Sequence, residues 1–293
     1  MYIVSYRKQG PWRAGIALGS LVADAAALST SYPREDGLTV RNLLKEGRAA
    51  LGDILAGARH AFGSNSNDLT PLEEVELGPP VPDPEKIICL GLNYPAHARE
   101  VNISTAEVPT FFAKFRNALC GPYGDIVLPQ VSTQVDYEGE LAVVIGRRCK
   151  DVPVGEAMTC VAGYTIMNDV SARDLQFQTS QWTAGKTLDT FAPMGPGIVP
   201  AAAIADPDDL EIITRVNGAT LQHGNTRDMI FPVARTIAFL SSLMTLEPGD
   251  LIAMGTPPGV GFKRQPPVFL KEGDVVEVEI GRIGTIRNSV VRL

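Results

Sequence analysis

The densest chemistry in the chain lies in Asp136-Tyr137-Glu138-Gly139-Glu140, which runs directly into Leu141-Ala142-Val143-Val144-Ile145. Side chains two apart on a strand share a face. Glu138 and Glu140 therefore point the same way, at the start of a run apolar enough to be buried. Two carboxylates in one low-dielectric pocket repel, and they need a cation or a shared proton. The other reading of a bare E-x-E is a solvated strand face. Asp169 follows the apolar run Val161 to Met167 and offers a third carboxylate at a strand end, where sites are commonly built. Its plainer reading is a turn residue, with Ser171 capping a helix behind it. Together the three supply oxygen ligands that water or substrate would complete into an octahedron suited to Mg²⁺ or Mn²⁺.

A second constellation is Gly91-Leu92-Asn93-Tyr94-Pro95-Ala96-His97-Ala98-Arg99-Glu100. Pro95 suits the first turn of a helix after a strand and a glycine turn. His97 and Glu100 then stand at i and i+3, within reach of each other. A carboxylate holding a histidine fixes its tautomer and raises its basicity, as a general base needs; a surface ion pair on a short helix has the same spacing. Arg173, Gln176 and Lys186 lie just past Asp169 and read either as solvated charge or as donors to an anionic substrate. Ser180 to Thr187 ends in Gly185-Lys186-Thr187 but lacks the first glycine of a P-loop and the strand that should lead into it. Nucleotide binding is rejected on that ground. Gly255-Thr256-Pro257-Pro258-Gly259-Val260-Gly261 reads as a rigid loop that lines a pocket.

The elements that must position these residues are mostly strands. Lys86 to Gly91, Thr110 to Lys114, Gly139 to Gly146, Val161 to Met167, Leu210 to Val216, Leu251 to Met254 and Val275 to Ile280 are the candidates. Asn217-Gly218 is a two-residue hairpin turn. One helix is expected after Thr226 as N-cap, with a stripe of Ile230, Val233, Ile237, Leu240 and Met244 and a stop at Pro248-Gly249. Upstream, Tyr2 to Tyr6 and Ala14 to Leu18 form a hairpin, and Val40 to Ala61 forms a helix weakened at Gly47 and Gly52. Gly63 to Glu85, with its prolines, reads as an extended linker. The fold class is α+β and β-rich: a rolled or barrel-like main domain over 79–293, preceded by a small α+β unit over 1–78.

Composition removes several alternatives. The 293 residues carry 26 Lys+Arg against 33 Asp+Glu, a net charge of −7, which argues against nucleic acid as the partner. An apolar run of about 18 residues is lacking, so no membrane span is expected. With three histidines and four unclustered cysteines, a metal would have to be held by carboxylates, which points to a hard ion. The cysteines read as reduced core thiols. Arg7, Lys8 and Arg13 before Ala14 to Leu28 loosely resemble a signal peptide, interrupted by Gly15, Gly19 and Asp24; a cytoplasmic protein is expected.

Taken in order, GLNYPAHARE (91–100), FAKFRNALCGP (112–122), DYEGELAVVIG (136–146), GYTIMNDVSARDLQ (163–176), GKTLDTFAPMGP (185–196), VNGATLQHGNTRDMIF (216–231) and GDLIAMGTPPGVG (249–261) resemble the fumarylacetoacetate hydrolase family, in its acylpyruvate hydrolase and 2-hydroxyhepta-2,4-diene-1,7-dioate isomerase-like branch. The departures are Phe115-Arg116 and Cys120. The resemblance implies a C-terminal β-roll, a mixed β-sandwich roll, and a homodimer. It places the metal carboxylates on Glu138, Glu140 and Asp169, the base and its partner on His97 and Glu100, and the family's lysine on Lys186. Arg173, Gln176, Thr256 and Lys114 match substrate-binding positions. The implied activity is Mg²⁺- or Mn²⁺-dependent cleavage of a C–C bond in an acylpyruvate or fumarylpyruvate, as in aromatic catabolism. His97–Glu100 would activate water while the cation stabilises enolate charge. The same enolate serves an isomerase or decarboxylase of a hydroxy-dienedioate, or an oxaloacetate decarboxylase, without activated water. That is the alternative. A non-catalytic ion-binding module is disfavoured by the intact His97–Glu100 pair.

Overall fold

The computed structural model describes residues 1–28, 37–64, 66, 68–104 and 107–292. The N-terminal part holds β1 (Tyr2–Arg7), β2 (Arg13–Leu18), β3 (Leu21–Asp24), α1 (Val40–Lys45), α2 (Gly47–Gly63), β4 (Leu69–Pro71) and β5 (Glu76–Leu77). Next come β6 (Ile87–Gly91), α3 (Pro95–Glu100), β7 (Thr110–Lys114), β8 (Leu119–Cys120), β9 (Ile126–Val127), β10 (Val135–Asp136), β11 (Gly139–Ile145), α4 (Val154–Ala157) and β12 (Val161–Asn168). The remainder is β13 (Ser171–Ala172), α5 (Arg173–Gln176), α6 (Thr183–Lys186), β14 (Ala192–Pro200), β15 (Glu211–Val216), β16 (Ala219–Asn225), α7 (Val233–Leu243), β17 (Leu251–Ala253), β18 (Val275–Ile280) and β19 (Gly284–Val291).

Among the described residues, one large sheet runs β4-β3-β2-β1-β14-β12-β11-β17-β6-β7, with β5 on β1 and β8 on β14. A second sheet runs β16-β15-β18-β19-β9, and β10 pairs with β13. This is the expected β-rich α+β architecture. β11 is central and buried along its whole length, and its alternation decides how the layers meet. Leu141, Val143 and Ile145 point to a cluster shared with Val278 and Ile280 of the second sheet. Ala142 and Val144 point the other way, to a cluster shared with Ile3, Ile16, Leu43 and Ile54. Each large aliphatic side chain fully buried in this way contributes roughly 1.5–3 kcal/mol. β18 shows the wet alternation expected of it, with Val276, Val278 and Ile280 buried and Glu277 and Glu279 half-buried.

The N-terminal hairpin forms as expected, and Ile3 of β1 also pairs with Ile198 of β14. The stretch Ala14 to Leu28 is sheet followed by a short 3₁₀ turn. The expected single helix over Val40 to Ala61 is two. Gly47 takes φ +84° and breaks it, while Gly52 is carried inside α2. Asn65 and Asn67 of the expected linker lie outside the described residues; the rest of it contributes β4 and β5.

Two further expectations are corrected. The helix after Thr226 starts only at Val233, because the Thr226 hydroxyl donates to Pro207 O and accepts from Leu210 N instead of capping a helix. Ser171 caps nothing: it sits in β13, and its hydroxyl donates to Asp169 O at 2.9 Å. The Asn217-Gly218 turn is present, with both residues at positive φ (52° and 80°). β14 and β19 are additional strands. All four cysteines are free and buried. Among the described residues, no helix is long and apolar enough to cross a membrane.

Candidate metal centre and active site

The β11–β12 ladder builds the centre. Gly139 pairs with Asn168 and Glu140 with Met167, so the chain one step beyond the ladder brings Glu138 opposite Asp169. Asp169 N donates to Glu138 O at 2.8 Å, and Glu138 N donates to Asn168 Oδ1 at 3.0 Å. Glu138 and Glu140 share a face, as their spacing requires, and both are buried. A carboxylate oxygen from each of Glu138, Glu140 and Asp169 lies within 4.8 Å of the others. Gly139 between them is obligatory: a Cβ there would collide with Thr214 Oγ1 and come within 2.9 Å of Val278 Cγ1 of the second sheet.

The charges around this cluster are arranged in layers. Lys186 Nζ bridges Glu138 Oε2 at 2.9 Å and Asp169 Oδ2 at 2.7 Å. Lys114 Nζ donates to Asp169 Oδ1 at 2.5 Å and to Val170 O at 3.1 Å. Arg173 donates from Nε to Asp136 Oδ1 and from Nη2 to Glu138 Oε1, both at 2.6 Å, and from Nη1 to Gln176 Oε1 at 2.9 Å. Burial alone would raise the Glu138 acid, but Arg173, Lys186 and His97 outweigh it and hold it below the usual carboxylate range. Among the described residues Glu140 makes no ion pair, and the pull of Lys186 does not offset its surroundings. Burial, with Asp169 and Glu138 beside it, pushes it well above that range, although Gly255 N donates to its Oε2 at 2.8 Å. A buried hard-oxygen set with one carboxylate left uncompensated fits a divalent cation.

His97 and Glu100 stand on α3, which Pro95 opens as expected. His97 Nδ1 lies 3.2 Å from Glu100 Oε2. Glu100 is held in turn by Gly259 N, at 3.0 Å and 3.2 Å to its two oxygens. Thr256 donates to Gly139 O at 3.0 Å and accepts from Gln222 Nε2 at 2.8 Å. A cavity of about 330 Å³ opens over the centre, and His97, Glu138, Glu140, Arg173, Gln176, Lys186 and Thr256 line it. Asp169, Glu100 and Lys114 lie behind this wall rather than on it. Lys114 is thus brought to the centre through Asp169, on the side away from the cavity.

Other residues of the site carry no signal in the motifs. Phe112, Phe177, Trp182 and Phe262 build the aromatic wall. Trp182 fits only because residue 91 is glycine, since a Cβ at Gly91 would collide with its ring. In the turn after β6 the left-handed residue is Leu92, at φ +59°. Asp136 is the one that alternation could have found. It shares the parity of Glu138 and Glu140, is fully buried, and accepts from Phe262 N at 2.9 Å as well as from Arg173. Burial, reinforced by Glu138, pushes its acid up to about 6 against the opposing pull of Arg173. His223 makes an exposed pair with Glu211 at 2.7 Å.

A rolled β-sheet scaffold with a buried carboxylate cage under a cation-lined cavity defines a divalent-metal enzyme for small organic acids. The chain belongs to the fumarylacetoacetate hydrolase family: the family described as fumarylacetoacetate (FAA) hydrolase C-terminal matches residues 86–291. The oxaloacetate tautomerase FAHD2A, mitochondrial, of Homo sapiens is 46% identical over 275 residues, covering 93% of this chain and 85% of its own. The fumarylacetoacetate hydrolase of Exiguobacterium antarcticum superposes with a TM-score of 0.84 at 34% identity, covering 100% of both chains. The maleylpyruvate hydrolase of Sphingobium sp. SYK-6, solved with manganese(II) and pyruvate, gives 0.81 at 32% identity, covering 100% of this chain and 99% of its own. The expectation of a cytoplasmic protein is corrected by these comparisons, because the Homo sapiens relative and its Bos taurus counterpart are both named as mitochondrial.

Proposed function

We propose that the protein is an Mg²⁺- or Mn²⁺-dependent isomerase of small 2-oxo dicarboxylic acids, with keto–enol tautomerisation of oxaloacetate as its first candidate reaction. The observation that carries this reading is the Glu138–Glu140–Asp169 cage beneath a cavity walled by Arg173, Gln176, Lys186 and His97. Relatives 44–46% identical over nearly the whole chain bear the name oxaloacetate tautomerase, which supports the isomerase alternative over C–C bond hydrolysis. When bound, the cation supplies Lewis acidity that stabilises enolate charge on a 2-oxo acid.

The chain's own residues do the rest. A guanidinium has five N–H donors, and Arg173 spends three on Asp136, Gln176 and Glu138, which leaves two for a substrate carboxylate. Glu100 holds the Nδ1 proton of His97 and leaves Nε2 with a lone pair. Nε2 takes a proton from C3 of the keto acid and returns it to the C2 oxygen, which converts keto to enol with no net gain or loss of atoms. The same His97–Glu100 pair favours a second reading, activation of water for hydrolysis of an acylpyruvate, and the name of the Sphingobium relative agrees with it.

The test runs three assays in parallel: enol absorbance of oxaloacetate, CO₂ release from it, and cleavage of an acylpyruvate. Tautomerisation is expected to dominate, to need Mg²⁺ or Mn²⁺, and to fall at least about 100-fold in His97→Ala, the usual scale of a lost acid–base group. A full rate in excess EDTA overturns the metal role. Acylpyruvate cleavage without accelerated tautomerisation replaces the isomerase reading with the hydrolase one.

A further inference from the structure

We propose that Lys263 forms a subsite for the second carboxylate of the substrate, so that the site selects 2-oxo dicarboxylates over 2-oxo monocarboxylates. The inference rests on the reading above that the cage takes a 2-oxo acid. Three cations line the cavity. Arg173 is paired with Asp136 and Glu138, and Lys186 with Glu138 and Asp169. Among the described residues, Lys263 pairs with no carboxylate. It stands on an otherwise aromatic stretch of wall, with its ammonium 5.1 Å from the Phe262 ring centroid. A cation on a largely apolar wall, with no anion of the protein to balance it, is a place for an anion of the ligand.

The geometry bounds the span that anion can bridge. Arg173 Cζ lies 4.5 Å from the same Phe262 centroid. The two cations are therefore at most 4.5 + 5.1 = 9.6 Å apart. With one charge-assisted hydrogen bond of about 2.8 Å at each end, at most about 4 Å remains between the two anchoring oxygens, which admits a short, four-carbon dicarboxylate and excludes a long extended one. The spacing is held by Asp136. One of its oxygens takes Arg173 Nε and the other takes Phe262 N, so the turn Gly261–Lys263 is tied to Arg173. Gln134 O accepts from Arg173 N at 2.8 Å, and Gln134 lines the same cavity. Lys263 is thereby a specificity residue that, among the described residues, pairs with none of the cage carboxylates.

The experiment titrates the full-length Mn²⁺-loaded protein with oxaloacetate and with pyruvate, its counterpart without the second carboxylate, following fluorescence of Trp182 in the wall. Wild type is expected to prefer oxaloacetate. Lys263→Met, which keeps the apolar stem, should cut that preference about tenfold, or about 1.4 kcal/mol, with the pyruvate constant unmoved. Lys263→Arg should retain it. An unchanged oxaloacetate-to-pyruvate ratio in Lys263→Met, with both acids still binding, overturns the subsite alone. Equal weakening of both acids also overturns it, since that is loss of packing. Binding of neither acid to wild type overturns this inference together with the reading it rests on.

Discussion

Asn93 ties the segment that carries His97 to the rest of the site, and its replacement gives a sharp test of how that segment is held. The side chain is fully buried. Its Nδ2 donates to Phe231 O at 3.1 Å and to Met254 O at 2.7 Å, and its Oδ1 accepts from Phe231 N at 2.8 Å. It thus joins the end of β6 both to the chain just past β17 and to the entry of α7. Asn93→Ala removes all three bonds, each contributing roughly 1 kcal/mol net, and leaves the Phe231 N–H without a partner, at about 1–3 kcal/mol more. The expected loss is about 4–6 kcal/mol, which lowers Tm by roughly 10–20 °C at about 2–4 °C per kcal/mol. Asn93→Asp has the same shape and keeps the Phe231 N–H bond, but it turns an acceptor toward two carbonyls. Burial and those carbonyls raise the new acid above its unfolded value. Any stability it retains is therefore present at low pH and lost as pH rises through the raised value, so its gap to wild type widens with pH. Chemical denaturation of wild type and both variants from acid to neutral pH reads these numbers, with Mn²⁺ binding as a second measurement. The cage is not on this segment, so Mn²⁺ affinity is expected to survive in Asn93→Ala while turnover falls. Either variant within about 1 kcal/mol of wild type at neutral pH, or a gap that narrows as pH rises, would refute the reasoning.

Three further outcomes are expected. Glu140→Gln should lose tight Mn²⁺ binding yet melt higher than wild type in EDTA, by about 1–2 kcal/mol, because it removes a buried acid that Asp169 and Glu138 disfavour while keeping an acceptor for Gly255 N; a lower melting point in EDTA contradicts this. Mn²⁺ affinity of the wild type should rise with pH, since Glu140 must release a proton that its surroundings hold above the ordinary carboxylate range. Calorimetry in buffers of different ionisation heat counts that proton, and a flat profile would count against it. Gly139→Ala should cost about 1–3 kcal/mol by overpacking and weaken Mn²⁺ binding, with Thr214→Ala in the same chain restoring part of the stability; full stability of the single variant would show that the second sheet yields.

Much of the centre was legible because strand periodicity is local. The parity of Glu138 and Glu140, the burial of Leu141 to Ile145 and the i, i+3 pairing of His97 with Glu100 all follow from neighbours in the chain. β14 was not legible. Pro193, Pro196 and Pro200 with Gly195 and Gly197 read as breakers, yet the strand is buried between β12 and β1, and tertiary packing overrides weak local preference. The helix expected after Thr226 failed for a related reason: a cap residue that finds distant partners, here Pro207 and Leu210, no longer caps.

The sequence by itself determined which side chains share a face, that any metal must be held by carboxylates, and the family to which the chain belongs. Tertiary structure decided which of these groups meet. Lys114 reaches Asp169 across 55 residues and Asp136 reaches Arg173 across 37, through ladder registers that no local pattern encodes. It also decided what each group is worth. The same carboxylate type is held low at Glu138 and pushed high at Glu140, because Arg173 and Lys186 arrive beside one and burial without a comparable partner surrounds the other. Charge balance in a dry site depends on distances between remote segments, and only the folded chain sets those distances.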